Sequence, residues 1–269
     1  MSKVQSPKSD DGTTTSSRVA DRRQHNSDRG HANLSPADFG LWTLDFGLTV
    51  TDLRKAFLSP TGARIDVLRG ISFSVAPGET VAIVGASGAG KSTLLHLVGG
   101  IEAPDHGGIK LGDFAVETAS RPELARYRNG QVGVVFQFHH LLPDLTAAEN
   151  VCFPLMLARR DRRTARRSAY EALDRMGLAS RASHRITDLS GGEQQRIAVC
   201  RALITSPLLV LADEPTGNLD SIIGGLIETE LITYAASRPA IVIIATHNQD
   251  LARRCDRVLT LEQGRIVTE

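Results

Sequence analysis

Apolar and polar positions first fall into register at Leu48, where "LTVTDLRKAF" and then "ISFSVAPGE" alternate as half-buried strands do. The loop between them carries Pro60 and Gly62, which suits a turn. "TVAIVG" is short and apolar without alternation, the pattern of a strand buried on both faces, and "KSTLLHLVGG" behind it has helical spacing. From about Arg121 to Leu189 the texture is helical, with "ARRDRRTARRSAYEALDRMGL" running to Gly177, and it reads as an insertion. There follow a helix from near Ser190, a strand "LLVLADE", a helix around "IIGGLIETELITYAASR", a strand "AIVIIAT", a helix "NQDLARRCD" and a closing hairpin "RVLTLEQGRIV". Strands alternating with helices predict an α/β fold with a parallel sheet covered on both faces. The predicted organisation is an extension over 1–46, a core formed by 47–120 and 205–269, and a helical subdomain over about 121–204.

Composition limits the classes open to this chain. Its 269 residues, 41% hydrophobic, suffice for one sizeable core rather than two full domains. The extension is rich in Ser, Thr, Asp, Arg and Gly and poor in aliphatic residues, so it cannot offset chain entropy and is expected to be disordered. With 31 basic against 30 acidic residues, no overall field argues for nucleic acid. Cys152, Cys200 and Cys255 are odd in number and far apart, which argues against a disulfide framework or a zinc site and suits a reducing cytosol. No apolar run approaches the roughly 20 residues of a membrane-spanning helix, so any membrane role is expected to be peripheral. Arg22-Arg23 is followed by "QHNSDRGHAN", which does not make an export signal. Arg159, Arg160, Arg162, Arg163, Arg166 and Arg167 read as a solvated helix face or a contact for anionic lipid headgroups.

"GASGAGKST" satisfies G-x-x-x-x-G-K-[ST] between a predicted strand and a predicted helix. Gly85, Ala86, Ser87, Gly88, Ala89 and Gly90 would wrap phosphates with backbone N–H groups, aided by the positive end of the helix dipole. Lys91 would reach the β- and γ-phosphates, Ser92 would coordinate Mg²⁺, and Thr93 would contact the α-phosphate. Asp213 and Glu214 end a strand, where the first would anchor the metal and the second would polarise an attacking water. In "LSGGEQQR", Ser190 and Glu193 form a capping box, and the same helix start exposes N–H groups to an anion.

Taken in order, "GASGAGKST", Gln137, "LSGGEQQR", "LLVLADEP", "GNLD" at Gly217 to Asp220, and Thr246-His247 resemble the motifs of ATP-binding cassette ATPases over about Leu48 to Glu269. The resemblance implies a P-loop NTPase core of that type, ATP and Mg²⁺ as cofactors, and a homodimer of cassettes facing head to tail. Ser190, Gly191 and Gly192 of one copy would then meet the nucleotide held by the other, and Asp220 would link the two sites. His247 would touch the γ-phosphate, Gln137 would reach the metal and couple the site to a partner, and Phe57 would stack on adenine. Glu193 stands in place of the usual Gln of the signature, and Asn248 in place of a frequent Asp.

"LLHLVGGIEAPDHG", "FQFHHLLPDLTAAENV" and "LADEPTGNLD" are similar to the lipoprotein-releasing (LolD) branch of a group that includes MacB-type efflux and FtsE-like cell-division cassettes. That resemblance implies integral membrane subunits of LolC/LolE type as partners, and a peripheral place on the cytoplasmic side of the inner membrane. His139-His140 first suggests a metal or catalytic pair, but no further ligands complete a site. On the family's pattern, Phe138, His139, His140 and Leu141 would instead face the membrane subunit.

Overall fold

The structure, a computed structural model, describes residues 47–268 apart from Asn218. The disordered extension expected over 1–46 lies outside the described residues. The elements run β1 (Leu48–Leu58), β2 (Arg64–Val75), β3 (Thr80–Val84), α1 (Lys91–Val98), β4 (His106–Leu111), β5 (Phe114–Ala115), α2 (Arg121–Gly130) and β6 (Val132–Val135). They continue α3 (Ala147–Leu157), α4 (Arg162–Arg175), α5 (Gly191–Leu203), β7 (Leu209–Asp213), α6 (Ser221–Ser237), β8 (Ile241–Ala245), α7 (Gln249–Arg253), β9 (Arg257–Glu262) and β10 (Arg265–Thr268).

Among the described residues two sheets form, an antiparallel one ordered β2-β1-β4-β5 and a larger one ordered β10-β9-β3-β8-β7-β6. In the larger sheet β9, β3, β8, β7 and β6 run parallel, and only β10 is antiparallel. Period-two alternation splits its buried strands between two cores. Leu209, Leu211, Ile241 and Ile243 pack with α1 and the antiparallel sheet, whereas Val210, Ala212, Val242 and Ile244 pack with α3, α4, α5 and α6.

Several elements depart from the pattern-based expectation, β4 among them. The helical stretch over 121–204 contains β6, an edge strand of the parallel sheet. "VGVV" is too short to show a period, and Gly133 is there because a Cβ would come within 2.3 Å of the Ala202 carbonyl oxygen. The arginine-rich pattern that starts at Ala158 becomes helical only at Arg162, as α4, after α3 has ended at Leu157, and Asp161 caps α4 by accepting from Thr164 N at 2.9 Å.

The strand leading to the phosphate loop is pinned at its start. Asp256 accepts from Thr80 N at 2.8 Å and from Thr80 Oγ1 at 2.7 Å. These bonds, the hydroxyl first, hold the Asp256 carboxyl below the usual carboxylate range. A depressed folded pKa lends stability above the unfolded value, and that stability is lost as pH falls through the folded value. Asp256→Ala is therefore expected to cost about 1 kcal/mol at neutral pH, kept small by solvent exposure of the carboxylate. Urea unfolding at neutral and acidic pH checks this, the difference from the parent chain vanishing in acid.

Candidate active site

The loop from Gly85 to Gly90 leaves the C-terminal end of β3 and enters α1. A Cβ on Gly85 would stand 2.3 Å from the Leu261 carbonyl oxygen, so only glycine lets the loop pass β9 this closely. Lys91 Nζ donates to Gly85 O at 2.8 Å and to Ala86 O at 3.2 Å, drawing the loop into a ring about its own ammonium. At the start of α1 no side chain caps the helix and no acid occupies the first turn, which leaves its N–H groups available to an anion.

Asp213 closes β7 and is 8% exposed. Glu214 follows with φ 47°, a left-handed backbone that a non-glycine residue keeps only where its surroundings demand it. Its N–H donates to Ala245 O at 2.9 Å, continuing the pairing of β7 with β8. Its Oε2 lies 2.8 Å from His247 Nδ1, 3.3 Å from His247 N and 3.4 Å from Thr246 Oγ1. A carboxylate so held has its orientation set by the end of β8 and keeps its other oxygen to accept a proton from a water. The His247 ring is largely exposed while Glu214 is 12% exposed, so the imidazole is the outer member of the pair.

These groups line one open pocket of about 640 Å³. The loop residues Gly85, Ala86, Ser87, Gly88 and Gly90 share it with Lys91, Ser92 and Thr93 of α1. Phe57, Gln137, Asp213, Glu214 and His247, also candidates from the sequence, line it as well. Val67 and Gly217 also line it and were not singled out. Val67 sits in an ordinary strand pattern with no chemical signal, and Gly217 was legible only as part of "GNLD".

Ala89, Ser190, Gly191, Gly192 and Asp220 do not line this pocket. Ser190 caps α5, with Oγ accepting from Glu193 N at 3.3 Å and Ser190 N donating to Glu193 Oε2 at 2.9 Å. Glu193 Oε1 also accepts from Arg181 Nε at 2.9 Å, and the Ser190 backbone bond, followed by the Ser190 hydroxyl and Arg181, holds its carboxyl below the usual range. That ion pair gives the glutamate of the signature a use that glutamine could not match. Asp220 caps α6, accepting from Ile222 N and Ile223 N at 3.0 Å each.

The segment after Gln137 is more divided than expected. Phe138 is 75% exposed and His140 is exposed, but His139 is half-buried and Leu141 packs on the core. Among the described residues no group of three or more His, Cys, Asp or Glu is placed to hold a metal ion.

Comparison with known proteins places this arrangement. The ABC transporter family profile matches residues 68–217. The lipoprotein-releasing system ATP-binding protein LolD of Geobacter metallireducens is 47% identical over 222 residues, covering 82% of this chain and 98% of that protein. LolD of Xanthomonas campestris pv. campestris is 47% identical over 203 residues, covering 76% of this chain and 85% of its own length. Among solved structures, the ATP-binding cassette MJ0796, dimeric and bound to ADP and Pi in a post-hydrolysis state, superposes with a TM-score of 0.78. It is 33% identical, over 82% of this chain and 97% of its own. With the phosphate loop, the strand-end carboxylates and His247 in one pocket on this fold, the chain belongs to the ABC transporter family and is an ATP-hydrolysing cassette.

Proposed function

We propose that this cassette drives lipoprotein release from the inner membrane as the ATPase of a complex with LolC/LolE-like membrane subunits. The observation that carries the reading is 47% identity to LolD of Geobacter metallireducens along 98% of that protein's length. Among the described residues no helix is long and apolar enough to cross a membrane, which suits a peripheral subunit docked on its cytoplasmic side. Exposed apolar side chains support docking: Phe138 and Leu142 in the loop after β6, and Phe153 and Leu157 on α3.

In this reading Phe57 stacks on adenine, and the Gly85–Gly90 loop with Lys91 and Thr93 holds the phosphates. The Ser92 hydroxyl, the Gln137 amide and the Asp213 carboxylate supply hard oxygen donors, the set Mg²⁺ prefers when phosphates and waters complete its shell. Bound there, Mg²⁺ would neutralise developing phosphate charge. Glu214 orients the attacking water and takes its proton, and His247 steadies Glu214 through Nδ1 while facing the γ-phosphate. Ser190, Gly191, Gly192 and Asp220, all outside the pocket of their own chain, act on the nucleotide of a second copy. Closure on ATP and opening after hydrolysis then pull on the membrane subunits.

Purification of the full chain from detergent-solubilised membranes tests the assignment. The expected companions are membrane subunits that bind lipoproteins in a reconstituted release assay. A division-type partner, ribosomes or DNA in their place contradicts it. Phe138→Arg is expected to reduce recovery of the membrane subunits about tenfold or more, as a desolvated anchor is replaced by a charge.

A further inference from the structure

Two side chains of helix α5, Arg201 and Gln195, reach the loop after β6 and the turn after β7. Arg201, near the C-terminal end of α5, donates from Nη1 to His140 O at 2.7 Å and from Nη2 to His139 O at 2.8 Å. Burial lowers the Arg201 pKa, and the guanidinium rests on these two backbone carbonyls. His140 has φ 47° and meets the Phe136 ring edge-on at 5.0 Å, which braces the turn that offers both carbonyls. Gln195, 2% exposed, donates from Nε2 to Pro215 O at 2.9 Å, immediately after Glu214. Its Oε1 and His139 Nδ1 are both buried, and neither makes a hydrogen bond.

Neither Arg201 nor Gln195 lines the nucleotide pocket. They nonetheless tie together the loop that carries Gln137, the helix that begins at Ser190, and the turn that follows Glu214. We propose that Arg201 and Gln195 are positioning residues that make the 137–140 loop and α5 move as one body, so that a displacement of the loop reaches both the Ser190 end of α5 and the Glu214 turn. A half-buried guanidinium gripping two successive carbonyls resists sliding more than one hydrogen bond would, and a rigid helix carries the motion along its length. The functional consequence rests on the reading that the exposed side of this loop meets a membrane subunit; the mechanical link does not.

Hydrogen exchange on the full chain, read by mass spectrometry, tests the link. Arg201→Gln is expected to speed exchange about tenfold or more both over 138–142 and over the first turns of α5, leaving β3 and α1 unchanged. Arg201→Lys, which keeps the charge and loses the fork, falls between, and Gln195→Leu raises exchange around Pro215 to Gly217. In steady-state ATP hydrolysis, Arg201→Gln lowers kcat with KM for ATP unchanged, a split that general loss of folded protein does not give at a corrected active concentration. Faster exchange in the loop with α5 and the Pro215 turn unaltered overturns the inference. If the exchange changes coincide but Phe138→Arg still recovers its membrane subunits in full, the docking reading fails and the mechanical link stands.

Discussion

Glu214→Gln abolishes ATP turnover, with a fall of about a hundredfold or more, and leaves ATP affinity within about threefold of the parent chain. The amide is nearly isosteric and its oxygen still accepts from His247 Nδ1, now 2.8 Å from the carboxylate, so the pocket keeps its shape. What disappears is the charge that takes a proton from water. Phosphate release and equilibrium binding of a fluorescent ATP analogue give the two readings. Near-normal turnover would remove Glu214 from the chemistry and shift attention to His247.

Ser190→Arg is expected to abolish ATP-dependent pairing of two chains and to lower turnover at least about tenfold, while monomer ATP binding is unchanged. Ser190 lies outside the pocket that holds Lys91 and Glu214, and in the proposed function it meets the nucleotide of a second copy. The substitution removes the cap on α5, a loss of about 1 kcal/mol, and sets a long cation at the positive end of a helix. Ser190→Ala removes the same cap without the bulk. If Ser190→Ala and Ser190→Arg impair pairing equally, the defect lies in the helix end rather than in the surface it presents.

The phosphate loop was legible in the sequence because its chemistry is local: consecutive glycines, a lysine and a serine between a buried strand and a helix. Asp213 and Glu214 were legible for the same reason, at the end of an unbroken apolar strand. The contact between Glu214 and His247 was not, since it depends on the pairing of β7 with β8 and on a left-handed residue that no residue pattern marks. β6 was hidden by its brevity and its glycine, and β4 by "HGGIKL", whose paired glycines weaken any strand signal. The loop after Gln137 read as one partner-facing stretch. Arg201, distant in sequence, turns part of it inward by taking the carbonyls of His139 and His140.

The central claim is that two copies close on ATP, each completing the other's site. Light scattering of Glu214→Gln after gel filtration in Mg²⁺ and ATP measures it most directly. The account predicts twice the monomer mass with ATP, the monomer mass with ADP, and a monomer in both when Ser190→Arg is added. A monomer throughout in Glu214→Gln, with ATP shown to be bound, would contradict it.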